Sequence, residues 1–320
     1  MFRTLLTTLL LCLVSNLGLA QSWPAKPVKI MVGASPGGGT DIIARMLGEK
    51  YQSALGQPFI VENRPGAANT IAADATAKAA PDGYTLLFAN STQLASNPAM
   101  AGKLPYDVFR DYAPVSLLAR TPSMFVVSNS IPAKSLKELI ALAKAKPGQL
   151  NFASQGNGTV QHVAGELFMR LTGTQMVHVP YKVYSQILTD LFTGQVALII
   201  GGTPVLIPHV QAGRLRALAV NTQKRLPSLP DVPTFDEAGV SDFWPAPWYG
   251  VLVPAGTSAR IVGTLNAAFN KTLQAADVVD TAVREGQTLL GSSPPEFAAF
   301  IKVEFARYQK LVRDTGMRLE

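Results

Sequence analysis

Apolar and polar positions along the chain fall into two alternating patterns. Short continuous apolar runs, the mark of buried strands, are separated by stretches whose apolar residues recur at helical spacing. The first runs lie at 28–32, 59–62 and 85–89. Between the first two, Ile43, Met46, Leu47, Lys50, Tyr51 and Ala54 share one side of a helix that Gly56 stops. A second helix is expected over 69–78. Strand–helix–strand repeats of this kind predict right-handed crossover units.

At 114–127 the rhythm changes to two near-adjacent extended runs, 115–119 and 124–127, and then alternation restarts. Ser135 and Glu138 form a capping box for a helix ending near Lys146, and 150–153 reads as a strand. Val160, Val163, Ala164, Leu167, Phe168 and Leu171 mark the clearest amphipathic helix of the chain. Further strands fall at 177–179, 196–200 and 217–220, and at 249–253 after a Pro-rich stretch over 227–247. Helices over 258–274 and 294–315 follow, the last capped by Ser293 and Glu296 with Pro at its start. The pattern predicts an α/β fold in which one lobe interrupts another. Residues 21–123 and 246–320 form lobe I, and 124–245 form lobe II.

The beginning of the chain changes this picture. Arg3 precedes an almost wholly apolar stretch over 5–19, and Gly18-Leu19-Ala20 offers small residues where a signal peptidase cuts. That is the layout of a secretory signal peptide, residues 1–20, with cleavage after Ala20 and a periplasmic product. The single cysteine, Cys12, lies inside it; a lipoprotein reading fits poorly, because a lipid-modified Cys follows the apolar stretch instead of interrupting it. The mature chain therefore has no thiol nucleophile, disulfide or thiolate metal site. The formal charge of +7, or +6 without Arg3, comes from scattered Lys and Arg without aromatic clustering, so nucleic-acid binding is not expected.

Two matching loops carry the candidate chemistry. The first runs from Gly33 through Ser35, Pro36, Gly37, Gly38 and Gly39 to Thr40 and Asp41. The second runs from Ser154 through Gln155, Gly156, Asn157 and Gly158 to Thr159. Each places Ser-x-Gly at the carboxyl end of a strand and opens a helix. Backbone N–H groups there, with the helix dipole behind them, favour an anion. One such loop in each lobe would grasp an anion from both sides, at the strand ends where α/β folds bind ligands.

Neither loop is a P-loop or a dinucleotide fingerprint. Gly33-Ala-Ser35-Pro36-Gly37 matches the Gly-x-Ser-x-Gly elbow, which keeps a periplasmic serine hydrolase using Ser35 as an alternative. Against it, the residue after the serine must donate an N–H to the oxyanion, and Pro36 has none. His162, His178 and His209 are the only histidines and lack metal-ligand spacing, so no metal site or cofactor is expected. His162, one turn into the amphipathic helix, reads as a structural residue within reach of the second loop.

With these loops in view, the chain resembles the substrate-binding receptors of tripartite tricarboxylate transporters, the Bug or TctC family. The resemblance covers nearly all of the mature chain. It rests on Pro36-Gly-Gly-Gly-Thr-Asp41, Val61-Glu-Asn-Arg-Pro-Gly66, Ala80-Pro-Asp-Gly-Tyr-Thr85, Leu104-Pro-Tyr-Asp107, Ala113-Pro-Val-Ser-Leu-Leu118, Leu150-Asn-Phe-Ala-Ser154, Val177-His-Val-Pro-Tyr-Lys182 and Leu229-Pro-Asp-Val-Pro-Thr234. It implies a type II periplasmic-binding-protein fold, with a ligand cleft between two lobes and a hinge of crossover strands. It also implies a non-catalytic receptor for a small carboxylate, a dicarboxylate or an aromatic one, with a large and a small integral membrane transporter subunit as partners.

Ligand contacts implied by the resemblance are Ser35, Gly37, Gly38, Thr40, Asp41, Asn90 and Ser91 in lobe I. In lobe II they are Ser154, Gly156, Asn157, Gly158, Thr159, Tyr181, Tyr184, Gly202 and Thr203. Asp41 reads equally as a helix-capping acid, and Tyr181 equally as a core residue with a satisfied hydroxyl. Two departures from the family pattern stand out. Val183-Tyr184 replaces a Gly-Gly pair after Tyr181-Lys182, and Gly201-Gly202 replaces an acid and an amide. Tyr184 either stacks near a ligand less polar than citrate, such as an aromatic carboxylate, or packs outward on the surface. A sensor-input receptor binding the same solute is a further alternative, and a monomer is the default expectation.

Overall fold

The computed structural model describes residues 23–315; the expected signal peptide lies outside the described residues. In chain order the strands are β1 (Val28–Val32), β2 (Phe59–Asn63), β3 (Thr85–Asn90), β4 (Tyr112–Arg120), β5 (Ser123–Ser128), β6 (Asn151–Ser154), β7 (Val177–Pro180), β8 (Leu198–Gly202), β9 (Leu215–Val220), β10 (Trp248–Pro254) and β11 (Thr288–Leu289). The helices are α1 (Gly39–Leu55), α2 (Thr70–Ala77), α3 (Asn97–Met100), α4 (Leu136–Ala145), α5 (Val160–Thr172), α6 (Tyr184–Thr193), α7 (Thr203–Gln211), α8 (Ala259–Thr272), α9 (Ala276–Glu285) and α10 (Pro294–Thr315). A π-helical turn, Thr92–Ser96, leads into α3.

The strands form two sheets, ordered β11-β4-β10-β3-β1-β2 and β7-β6-β8-β5-β9. One pattern generates both. In the first, β1 pairs in parallel with β2 and β3, and β10 lies antiparallel between β3 and β4. In the second, β6 pairs in parallel with β7 and β8, and β5 lies antiparallel between β8 and β9. These two antiparallel strands, β10 and β5, are the ones that arrive from the other sheet. Consequently β1 and β6 are equivalent, as are β3 and β8, and the loops that leave them occupy equivalent places. The two loops matched by sequence are related by topology as well.

Each sheet is covered by its own core. Ile30, Ile43, Leu47 and Tyr51 pack with α8 on the first sheet, where the Tyr51 and Phe269 rings stack at 3.9 Å. Phe125, Phe152, Phe168 and Leu198 fill the second. A third cluster joins the lobes: Val160 and Val163 of α5 pack with Met31, Leu87, Trp248 and Phe297. Helix α10 also crosses the division, its Tyr308 ring edge-on to Trp244 at 4.9 Å.

The first strand matches its apolar run to the residue. Helices α6, α7 and α9 and the turn at 92–100 are not announced by the pattern. Helix α7 carries Pro204 and Pro208, which argue against a helix in a linear reading. Helix α9 turns only Val278 and Ala282 fully inward, too few to set a period.

Candidate functional site

In lobe I the loop after β1 is braced before it reaches its helix. Gly33 is required sterically, since a Cβ there would lie 2.4 Å from the Cβ of Asn69. Gly37 adopts a left-handed φ of 77° and donates its N–H to Asp41 Oδ2 at 2.9 Å. Asp41 Oδ1 accepts from Arg45 Nε at 2.9 Å and from Asn63 Nδ2 at 2.8 Å. Burial alone would raise the Asp41 carboxyl, but the bonds from Arg45, Gly37 and Asn63 together outweigh it and hold the group below the usual carboxylate value. Asp41 thus ties the loop to β2 and α1. At the equivalent of the β8 exit, Asn90 donates to Thr40 Oγ1 at 2.8 Å and accepts from the Thr92 N–H at 2.9 Å. The neighbouring Ser91 is completely buried, and its hydroxyl has no partner.

The lobe II loop is braced by neutral groups. Thr159 caps α5 by accepting from the His162 N–H, and its hydroxyl donates to the Gly156 carbonyl at 2.7 Å. Gly158 donates its N–H to His162 Nδ1 at 3.2 Å, so His162 does reach the second loop. Ser154 shares a 2.6 Å hydrogen bond with His178 Nε2 and accepts from the Gly156 N–H at 3.0 Å. The two imidazoles stack at 4.1 Å. Burial, then the nearby His162, lowers His178 to about 4, and burial lowers His162 as well. Both rings are neutral at neutral pH and serve as fixed acceptors and donors.

These loops face each other. Ser96 Oγ donates to the Gly158 carbonyl at 2.8 Å, Val160 donates its N–H to Thr92 Oγ1 at 3.3 Å, and Tyr184 donates its N–H to Ser35 Oγ at 3.2 Å. Behind them Thr203 Oγ1 donates to the Glu285 carbonyl at 2.7 Å. Between the lobes lies a cavity of about 40 Å³, room for a few water molecules. It is walled by Gly39 and Thr40 of α1, Asn69 capping α2, Ser91 and Thr92 at the π-turn, Thr159 and Val160 of α5, Tyr184 of α6, and Gly202 and Val205 of α7. Asn90, Gln155, Gln161, Pro247 and Tyr249 complete it. Every helical segment that touches this cavity does so with its cap or first turn. First-turn N–H groups lack intrahelical partners and carry the positive end of the dipole. No lining residue carries a charge, among the described residues. Each opening is worth about 0.3–1 kcal/mol toward a negative charge, so their convergence would favour an anion there without a cation.

A larger cavity of about 590 Å³ adjoins it through Asn69 and Gln155. Ser35, Gly156, Asn157 and Tyr181 line it, along with Lys103 and Lys182. Its lobe I wall includes Ala67, Ala68 and Asn69, three successive non-glycine residues at φ of 47°, 49° and 68°. Such backbone costs about 1–3 kcal/mol per residue and collects at ligand sites. Tyr181 turns its hydroxyl away, donating to Asp190 Oδ2 at 2.6 Å.

The expected contacts therefore divide. Thr40, Asn90, Ser91, Thr159, Tyr184 and Gly202 wall the inner cavity. Ser35, Gly156, Asn157 and Tyr181 wall the outer one, while Gly37, Gly38, Asp41, Ser154, Gly158 and Thr203 line neither. Tyr184 is 2 % exposed and does not pack outward on the surface. Sequence reasoning placed Thr92 in a pocket loop with Asn90 and Ser91 but missed Asn69, Gln155, Gln161, Pro247 and Tyr249; of these, Asn69 begins an expected helix and Gln155 lies within the second loop.

The family model for the tripartite tricarboxylate transporter family receptor matches residues 43–317. The chain belongs to this receptor family. Protein BugT of Bordetella pertussis is 39% identical over 302 residues, covering 94% of this chain and 93% of BugT. Among solved structures, Rpa4515 of R. palustris with adipate is 34% identical with a TM-score of 0.89, over 92% of this chain and 99% of that one. MatC of Rhodopseudomonas palustris with bound malate is 31% identical with a TM-score of 0.86, over 91% and 100%. The receptor thus shares the two-lobed periplasmic-binding-protein fold of proteins solved with small carboxylates. Family and neighbours are solute-binding proteins. In this receptor Ser35, the hydrolase candidate, accepts a hydrogen bond from the Tyr184 N–H. Ser154, the serine that does meet a histidine, is completely buried.

Proposed function

We propose that the mature chain is a periplasmic receptor that captures a small carboxylate without chemical turnover and hands it to the membrane subunits of a tripartite transporter. The lobes, residues 21–123 with 246–320 and residues 124–245, close on the ligand by a hinge at the crossover strands. The observation that carries this reading is the uncharged inner cavity, ringed by helix openings from both lobes, with the buried Ser91 hydroxyl left unpaired in its wall. An unsatisfied buried hydroxyl costs about 1–3 kcal/mol, and a carboxylate oxygen would remove that cost. The bonds across the cleft from Ser96, Val160 and Tyr184 form only when the lobes meet, so they give closure its favourable contacts. Relatives solved with adipate and malate support a dicarboxylate; an aromatic carboxylate remains the second candidate.

The test is a thermal-shift screen followed by calorimetry, using adipate, malate, succinate and benzoate as probes. A ligand at about 100 times its Kd adds about 2.7 kcal/mol of stability. At least one carboxylate is expected to raise Tm saturably, and Ser91→Ala to weaken its binding about tenfold. Silence of every carboxylate beside a response to neutral or cationic solutes would overturn the reading. Loss of solute uptake by a cell lacking this chain, restored on its return, tests delivery.

A further inference from the structure

A further cavity, of about 680 Å³, shares no lining residue with the inner or the outer one. It lies where the chain passes between the two sheets. Arg120, at the end of β4, begins the crossover to β5, and Trp244 and Ala246 belong to the segment that returns to β10. The two crossovers are joined to each other. Thr121 donates its N–H to the Pro247 carbonyl at 2.8 Å, and Ser123 Oγ donates to the Pro245 carbonyl at 2.8 Å. Ala246 walls this cavity while its neighbour Pro247 walls the inner one, so the returning crossover separates the two.

The inner cavity has an uncharged wall, and this one is basic. Arg120 ends β4, Lys224 follows β9 and Arg307 lies on α10; the one acid among the lining residues is Asp236. Arg307 is laid over the Trp244 ring, its guanidinium carbon 4.0 Å from the centroid, and Glu304 Oε1 stands 3.8 Å from its Nη1. Glu304 is already engaged, accepting from Trp248 Nε1 at 3.0 Å. Neither Arg120 nor Lys224 makes a side-chain hydrogen bond or ion pair among the described residues. Burial lowers the Arg307 guanidinium from its ordinary value; Glu304 opposes that shift, and the like charge of Arg120 adds to it. The two guanidinia repel each other, a cost that a multivalent anion between them would relieve.

We propose that this cavity is a second anion site, separate from the cleft, that takes a phosphate-type polyanion. Guanidinium forks match the paired oxygens of such an anion, and the ring beneath Arg307 fixes one fork before any guest arrives. Asp236 offsets much of the gain for a guest with a single negative charge, so a multivalent one is favoured. The volume falls within the range of small-molecule sites, about 300–1,000 Å³. The inference stands on residues that the carboxylate reading does not use.

The experiment titrates pyrophosphate and inorganic phosphate into the protein calorimetrically at low ionic strength. Pyrophosphate is expected to bind saturably with a Kd below about 1 mM, to weaken as salt is added, and to bind more tightly than phosphate. Arg120→Gln and Lys224→Gln should each weaken it about tenfold. Asp236→Asn should strengthen it about twofold or more, a gain that misfolding cannot imitate. Ser91→Ala, which alters the inner cavity, should leave pyrophosphate affinity within about twofold. Circular dichroism and Tm establish that each variant folds. Absence of saturable binding below about 1 mM, or binding that survives Arg120→Gln and Lys224→Gln together, overturns the proposal. So does a pyrophosphate affinity that falls in Ser91→Ala and not in Lys224→Gln, because the polyanion then sits in the cleft. The carboxylate reading is untouched by each of these failures, and its own failure would leave this site standing.

Discussion

The two loops that open α1 and α5 occupy equivalent places in their sheets and are held by opposite chemistry. In lobe I an ionised carboxylate, Asp41, gathers the Gly37 N–H, Arg45 and Asn63. In lobe II the same work is divided among Thr159, His162, Ser154 and His178, all neutral. One charge with several donors holds a loop firmly, but its negative sign lies close to the proposed anion site and consumes the Gly37 amide. Neutral acceptors leave the field of the helix openings undiminished, at the cost of a loop sensitive to protonation. Equivalent topology therefore constrains where amides converge, while the side chains that fix them are free to differ.

The largest effect that would break this comparison is expected at Asp41. Asp41→Ala leaves the Gly37 N–H and Asn63 without their acceptor and should cost about 3 kcal/mol in denaturant unfolding. A loss below about 0.5 kcal/mol would show that the loop holds without its charge. Acidification sharpens the contrast next. Below the ordinary histidine value of 6.5 the unfolded chain takes up protons that folded His178 refuses until about 4, so stability should fall across that window. The Asp41 contribution has the other origin: its folded value lies below 3.8, so it persists above that pH and is lost only as pH drops through the lowered value. Unfolding curves from pH 7 to 3 should thus show the lobe II term first, and His178→Gln should flatten the decline between 6.5 and 4.

Smaller effects follow. Thr159→Ala removes a cap and should cost about 1 kcal/mol, measurable as a shift in the denaturant midpoint. Ser96→Ala removes one bond between the lobes; stability should change by less than about 1 kcal/mol, while ligand dissociation, followed by stopped-flow fluorescence, should speed up severalfold.

Much of the fold was legible because its signals are local. The run at 28–32 is β1 without adjustment, and Ser135 caps its helix, with Glu138 donating its N–H to Ser135 Oγ at 3.2 Å while the Glu138 carboxylate accepts from the N–H of Lys134, one residue before the cap. The two glycine-rich loops were readable because a strand end, small residues and a helix start lie within about ten residues of one another. What escaped depends on meetings across the division between lobes. Nothing near Pro247 or Tyr249 in sequence says that they share a wall with Thr159 and Tyr184. Tyr184 could not be assigned from its neighbours, because its burial depends on Gly201 and on the opposing lobe. Asp41 was ambiguous for a related reason: both of its roles call for a carboxylate at a helix start, and only the position of Asn63 on β2 separates them.

The most direct test of the account is a crystal structure with whichever probe carboxylate stabilises the protein most. The account predicts a carboxylate between the openings of α1 and α5, within hydrogen-bond distance of Ser91 Oγ and contacted by both lobes. A carboxylate held instead in the outer cavity by Lys103 and Lys182, with Ser91 still unpaired, would contradict it.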